Sequence, residues 1–220
     1  MGTYDTMVRF FQDGGAFMYP IAAVLALGIA ISIERFIYLG GVRRADRHDL
    51  QEVMDRVKRR DYAGALEFAR GSKAAIGRIL GYGLERAQSS SQREDIETAM
   101  EEGLIEVLPH LEKRTHYLAI FSNVATLLGL LGTIIGLIQA FTAVSAANPA
   151  EKADMLSASI SVAMNTTAFG LISAIPLLLA HAVLQTKTNE MIDGLEMASV
   201  KFLNAITAAS TRVGAGTSAR

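Results

Sequence analysis

The chain has 220 residues, of which 50% are hydrophobic and 20% are charged, and its formal net charge is -1. A near-neutral chain without a stripe of interleaved basic and aromatic residues argues against nucleic-acid binding. The absence of cysteine excludes disulfides, cysteine-ligated metals and a cysteine nucleophile. The scattered histidines show no metal-ligand spacing, so we expect no metal site and no cofactor.

Three long segments of the chain contain no Asp, Glu, Lys or Arg. A helix needs about 20 apolar residues to cross the hydrocarbon core of a bilayer. The first segment runs straight into Glu34 and Arg35 without a cleavage site, so we expect a retained helix and not a signal peptide. The sequence therefore predicts an all-α membrane protein with three transmembrane helices. The uncharged segments are residues 14–33, 115–150 and 155–186.

The distribution of basic residues predicts the orientation in the membrane. Seven Lys and Arg residues lie within 43–60, directly after the first span, whereas only Arg9 precedes that span. Only Lys152 lies between the second and third spans. Because basic residues accumulate in cytoplasmic segments, we expect a periplasmic N-terminus and a cytoplasmic C-terminus.

The remaining segments show helical periodicity. One apolar stripe leads into the second span through Pro109, which we interpret as a kink, and another continues the third span. The second and third spans are therefore predicted to extend as long helices into a cytoplasmic helical layer. The predicted division is a periplasmic N-terminal segment at 1–13, transmembrane helices at 14–38, 115–147 and 156–186, a cytoplasmic helical region at 39–114, a periplasmic loop at 148–155, a cytoplasmic helix at 187–209 and a disordered tail at 210–220.

Small and hydroxyl-bearing residues share one side of the second and third spans. Small residues at helical spacing let another backbone approach closely, so spacing alone favours helix packing. Hydroxyl groups both donate and accept hydrogen bonds, so a polar lane that holds water or an ion is the second interpretation. The small residues are Gly129, Gly132 and Gly136 in the second span and Gly170 and Ala174 in the third, and the hydroxyls are Thr133, Thr166 and Thr167.

Two motifs in these spans carry a resemblance to a known family. LGLLGTIIGLIQAF at 128–141 and TTAFGLISAIP at 166–176 closely resemble the MotA/TolQ/ExbB proton-channel family. MYPI at 18–21 and IERFIYL at 33–39 in the first span are similar to its ExbB/TolQ-like branch. Either motif alone would be weak, whereas the two together are specific.

The resemblance implies the channel-forming subunit of an ion-driven motor in the bacterial inner membrane, as in ExbB–ExbD or TolQ–TolR, and not an enzyme. Such a complex couples proton flow to mechanical work on periplasmic or outer-membrane partners. The resemblance further implies a homopentamer in the lipid bilayer, packed through the small residues of spans two and three. It would surround two copies of an ExbD/TolR-like single-span protein that carries a membrane Asp, and it admits a TonB/TolA-like protein as a further partner.

The resemblance also suggests which residues line the ion path. Thr133 and Thr167 match family positions that line it. Thr166 and Thr126 stand where many family sequences carry Ala and Pro, and Val162 stands where many carry Glu. The added hydroxyls leave sodium open as the transported ion. The alternative function is a non-conducting membrane scaffold, in which these threonines serve packing alone.

Overall fold

The computed structural model describes residues 10–11, 14–90, 92–146 and 148–217, without the side chains of Ala146 and of residues 209–217. The prediction of an all-α fold is confirmed, since no strand occurs in these ranges. Three helical stretches are long and apolar enough to cross a membrane: Met18–Lys58, Arg93–Ser145 and Lys152–Ala208. The helices are α1 Met18–Lys58, α2 Tyr62–Gly71, α3 Ala75–Ser89, α4 Arg93–Glu112, α5 Thr115–Ala146 and α6 Lys152–Thr217.

The predicted continuity of α4 with the second span is wrong. The helix ends at Glu112, Arg114 adopts a left-handed φ of 67°, and α5 begins at Thr115. Pro109 has no backbone N–H, which weakens the hydrogen-bond ladder in the last turn of α4. The predicted extension of the third span as one long helix is confirmed in α6, and the first span also extends, as α1, which the sequence analysis did not predict.

Several predicted boundaries stay predictions. The N-terminal segment 1–13 lies outside the described residues except for Phe10 and Phe11. The predicted tail at 210–220 overlaps the end of α6, whose last described residue is Thr217, so its disorder stays a prediction.

The chain divides into two compact units. Met1–Arg35 and Arg114–Leu184 form one, which we call the apolar unit, and Phe36–Lys113 and Gln185–Arg220 form the other, which we call the charged unit. The charged unit has a core of large side chains. Its fully buried members include Val53, Ile76, Ile79, Leu80, Leu111, Phe202 and Leu203.

The apolar unit has only a small cluster of buried residues. Ile21 of α1, Ala125 of α5 and Ala174 of α6 form it, with Val24, Leu128 and Phe169 packed around them. Two of the three central residues are alanines, so α5 and α6 come close together at this point, although the unit also buries Met18, Leu118, Leu177 and Leu184 elsewhere. This close approach positions the candidate site.

Candidate functional site

The α5–α6 contact in the apolar unit is a contact between backbones. A Cβ atom added to Gly170 would lie 2.9 Å from the Ala125 carbonyl oxygen and 2.9 Å from the Cα of Gly129. A Cβ added to Gly129 would lie 3.3 Å from the Cα of Thr167. Because backbone atoms cannot move aside as a flexible side chain can, Gly170 requires glycine, and a side chain at Gly129 would be tighter than an ordinary contact.

The same contact continues along α5 toward its C-terminal end. A Cβ atom added to Gly132 would overlap the methyl group of Thr166, and one added to Gly136 would lie 3.1 Å from the Cβ of Ala163. Ala174, at the other end, is buried. All five predicted packing residues therefore take part in contacts within one chain. Their predicted role between subunits stays a prediction.

Thr166 lies inside this contact. It is 2% exposed, and its hydroxyl donates to the carbonyl oxygen of Gly14 at 2.6 Å. The carbonyl oxygen of Val162, in the same helix, is a second acceptor at 2.9 Å. Gly14 precedes α1, so this hydroxyl joins the entry of the first span to the third span. A fully engaged and buried hydroxyl of this kind stabilises the packing of helices.

The Thr167 and Thr133 hydroxyls donate to neighbouring carbonyls of α5. The Thr167 hydroxyl donates to the carbonyl oxygen of Gly129 across the helix contact, at 2.9 Å. In an α-helix that carbonyl also accepts the backbone N–H of the residue four positions later, which is Thr133. The Thr133 hydroxyl is half-buried and donates to the Leu130 carbonyl oxygen at 2.6 Å. The Thr167 hydroxyl therefore crosses the helix contact, whereas the Thr133 hydroxyl bonds within its own helix.

Thr126 occupies an exposed position. Its hydroxyl donates to the Ser122 carbonyl oxygen of its own helix at 3.1 Å. It lies about two helical turns before Thr133, so both face the same side of α5. The structure thus bonds Thr133 and Thr167 to neighbouring carbonyls, places Thr126 on the same side of α5 as Thr133, and assigns Thr166 to the interior.

Two serines that the sequence reasoning missed belong to this contact. The buried Ser122 hydroxyl donates to the Ala174 carbonyl oxygen across the helices at 2.8 Å. Ser173 is 0% exposed, and its hydroxyl has no hydrogen-bond partner in the described part of the chain. Ser122 lies about two turns before Gly129, and Ser173 lies one turn after Gly170, so their spacing from the glycines was the available signal.

Glu34 and Arg114 form an ion pair at 3.4 Å within the apolar unit. Glu34 lies at the C-terminal end of the uncharged part of the first span, and Arg114 directly precedes the second span, so the pair joins these two ends. His181 is half-buried in α6. Among the described residues, no group of His, Asp and Glu could hold a metal ion.

A broad apolar surface of α5 and α6 remains uncovered in the single chain. Leu127, Ile138 and Phe141 of α5 and Met164 and Leu179 of α6 are among its exposed residues. Exposed apolar surface of this extent marks contact with lipid or with other protein. Thr126 is exposed and Thr133 is half-buried on the same helix as part of this surface.

The profile of the MotA/TolQ/ExbB proton channel family matches residues 71–197. The chain is 29% identical to the putative biopolymer transport protein ExbB homolog of Methanothermobacter thermautotrophicus over 199 residues, 88% of this chain and 68% of that protein. It is 28% identical to the putative biopolymer transport protein ExbB-like 1 of Synechocystis over 83% of this chain and 72% of that protein. It is 38% identical to the Tol-Pal system protein TolQ of Haemophilus influenzae over 79 residues, 36% of this chain and 34% of that protein.

Proposed function

Because the chain belongs to the MotA/TolQ/ExbB proton channel family, we propose that it is the channel-forming subunit of an ion-driven complex in a bacterial inner membrane. The complex couples proton flow to mechanical work on periplasmic or outer-membrane partners. The observation that carries the proposal is that the Thr167 and Thr133 hydroxyls donate to the neighbouring carbonyls of Gly129 and Leu130, inside the motifs that resemble the family. Hydroxyls and a peptide carbonyl together offer a proton relay without a fixed charge.

The chain needs a partner to complete this path. Residues 115–150 and 155–186 contain no Asp and no Glu, so these spans cannot bind and release a proton at a carboxylate. We propose that a single-span protein of the ExbD/TolR type supplies a membrane Asp. Five copies of this chain would surround two copies of that protein, with the exposed apolar surface of α5 and α6 facing neighbours and partner. A stable monomer as the sole species in native mass spectrometry would contradict this assembly.

The deciding experiment replaces the Thr167 hydroxyl, which donates to the Gly129 carbonyl, and the Thr133 hydroxyl, which donates to the adjacent Leu130 carbonyl. Thr133→Val and Thr167→Val keep the shape of each side chain and remove its hydroxyl, singly and together. We expect the complex to assemble and the proton flux to fall sharply, because the relay loses its polar groups. The measurement is proton flux into proteoliposomes that contain the complex purified with its native partners, beside the yield of the assembled complex.

Thr142→Val is the matched control. Thr142 is an exposed threonine on the same helix, and its hydroxyl donates to the Ile138 carbonyl oxygen at 2.8 Å. It lies outside the Gly129 contact, so its replacement should leave the flux unchanged. Full flux in the Thr133/Thr167 double variant would refute the ion path.

A non-conducting scaffold is the second candidate function. It is favoured by the observation that all four candidate threonines already donate to backbone carbonyls within the single chain. If the hydroxyls only pack, each loss should cost about 0.6 kcal/mol, the average for a membrane hydrogen bond. Assembly would then weaken slightly in the double variant, and wild-type proteoliposomes would show no flux above protein-free ones.

The nature of the ion is tested on the same proteoliposomes. Sodium needs several oxygen ligands, and Thr126 and Thr166 add oxygens to the two spans. In the structure the Thr166 hydroxyl is buried and bonded to Gly14, which favours the proton. Flux that requires sodium and survives a protonophore would assign sodium instead.

We propose that the N-terminus is periplasmic and that residues 39–114 are cytoplasmic, on the distribution of Lys and Arg. Ser90→Cys and Ala150→Cys place single thiols in the two predicted compartments of a chain without native cysteine. An impermeant thiol reagent should label Ala150→Cys, and not Ser90→Cys, in intact spheroplasts. The reverse pattern would invert the topology.

A further inference from the structure

Three arginines and one glycine on α1 form an exposed face of the charged unit. Arg43, Arg44 and Arg47 follow Gly40 by three, four and seven residues, so they share one side of the helix. All four positions are exposed. Together with His48 and Gln51 they line an open depression of ≈ 500 Å³, which we call the arginine face.

The arginine face carries positive charge that the chain does not neutralise. In the described part of the chain, none of its guanidinium groups has a carboxylate within ion-pair distance. Arg56, further along the same helix, pairs with Glu52 at 2.9 Å. Asp49, which lies between His48 and Gln51 in the sequence, forms hydrogen bonds with His48 and Ser72.

An apolar surface precedes the arginines on the same side of α1. Phe36 and Ile37 are exposed and lie about two turns before Arg43 and Arg44. The ammonium group of Lys187 lies 4.5 Å from the centroid of the Phe36 ring and adds a cation at that level. This side of α1 therefore changes from apolar to basic over about 10 Å along the helix axis.

Gly40 leaves space where the arginines converge. Helical side chains tilt toward the N-terminus, so those of Arg43 and Arg44 extend over the turn that contains Gly40. A Cβ atom added at Gly40 would meet no other atom of the chain within 4 Å. Contacts within the chain therefore give no reason for a glycine, which disfavours a helix relative to alanine. The open position suits a group that comes from outside the chain.

We propose that the arginine face binds the head group of an anionic phospholipid. The phosphate lies over Gly40 between Arg43, Arg44 and Arg47, and the acyl chains follow the exposed Phe36 and Ile37. A lipid fits better than an acidic peptide because the apolar residues directly precede the cations, in the order that a bilayer presents acyl chains and phosphate. The proposal is independent of ion conduction and of the direction in which the chain crosses the membrane.

The test counts the lipids retained by the full-length chain in native mass spectrometry. The probes are phosphatidylglycerol and phosphatidylcholine with identical acyl chains. Wild-type protein should retain phosphatidylglycerol preferentially at low ionic strength. Arg43→Gln, Arg44→Gln and Arg47→Gln together should weaken its binding by roughly a hundredfold, at about fivefold for each arginine. Inorganic phosphate in excess should not displace the lipid, because it lacks the acyl chains.

Two further variants separate the site from general charge. Arg59→Gln, Arg60→Gln and Arg86→Gln together remove the same charge from other exposed positions and should leave retention unchanged. Gly40→Leu fills the depression without changing any charge and should lower retention.

The following outcomes would overturn the proposal. Equal loss of lipid in the two triple variants would show that retention depends on the net charge of the chain and not on the arginine face. Equal retention of the two lipids or undiminished retention by Gly40→Leu would each contradict a head-group site over Gly40. Displacement by inorganic phosphate at constant ionic strength would assign the face to a free anion and not to a lipid. Loss of a co-purifying protein at unchanged lipid retention would assign the face to a protein partner.

Discussion

In the charged unit the helices meet through large buried side chains, whereas in the apolar unit α5 and α6 meet backbone to backbone. Phe202, Ile79 and Leu80 fill the first contact, and Gly129 and Gly170 form the second. In water, the burial of large apolar side chains drives helices together. Lipid offers no such gain, because its chains are as apolar as leucine, so close packing and interhelical hydrogen bonds must hold the helices.

The largest expected effect tests the charged unit. Phe202→Ala removes a fully buried ring from its core and should destabilise this unit by about 3–5 kcal/mol. Val200→Ala, an exposed neighbour, should change stability by no more than about 0.5 kcal/mol. Hydrogen–deuterium exchange of the full chain should show lost protection in residues 62–112 and unchanged protection in residues 122–136. Equal loss of protection in both regions would show that the packing of the apolar unit also depends on the core of the charged unit.

A smaller effect is expected from a glycine pair in α6. Gly170→Ala places a Cβ atom 2.9 Å from backbone atoms of α5, whereas Gly194→Ala meets nothing within 4 Å. Both substitutions gain the same helix propensity, so their difference isolates the contact. We expect Gly170→Ala to be less stable than Gly194→Ala by about 1–3 kcal/mol, the usual cost of overpacking. Thermal unfolding in detergent measures it, and equal midpoints would mean that α5 and α6 do not need close approach.

Ser122→Ala tests the hydrogen bond across the apolar unit. The substitution removes the donor to the Ala174 carbonyl and should cost about 0.6 kcal/mol. Ser145→Ala removes a hydroxyl that bonds within its own helix, to the Thr142 carbonyl at 2.7 Å, and should cost less. Protection of α6 amides around Ala174 should fall in Ser122→Ala alone. A larger loss in Ser145→Ala would show that hydroxyls across the contact add nothing special.

The smallest expected effect is a dependence on pH that belongs to the charged unit. Asp46 lies beyond the apolar part of α1 and accepts the backbone N–H of Ile76 at 3.0 Å. Burial raises the pKa of Asp46 above its ordinary 3.8, although hydrogen bonds from Ile76 and Ala75 oppose the shift and Asp49 reinforces it. The folded chain therefore holds this proton more tightly than the unfolded chain. Its contribution to stability is complete below pH 3.8 and is lost as the pH rises through the folded pKa.

Asp46→Asn sharpens this prediction. The amide oxygen still accepts the Ile76 N–H but stays neutral at every pH. We expect the variant to be at least as stable as wild type at pH 7, with the difference vanishing in acid. Thermal unfolding across this pH range measures the difference. A variant that is less stable at pH 7 and not in acid would show that the charged carboxylate stabilises the fold.

The candidate site was predictable in part. Gly129 and Gly170 stand out because small residues recur at helical spacing, and the resemblance of the motifs marks Thr133 and Thr167. The sequence could not distinguish Thr166 from Thr167, which are neighbours with the same side chain. Adjacent residues on a helix point about 100° apart. One therefore faces Gly14 in the interior, and the other reaches the Gly129 carbonyl.

The sequence by itself determined the helical class and the three apolar spans, because length, absence of charge and helical periodicity are properties of each segment alone. Only the tertiary structure decided that α4 stops before α5 at Arg114, and that the glycines of α5 meet α6 of the same chain. It also decided that Arg43, Arg44 and Arg47 have no carboxylate partner among the described residues, whereas Arg56 forms an ion pair with Glu52. These outcomes depend on which distant residues come within a few ångströms, and helical periodicity records the direction of a side chain without naming what it meets.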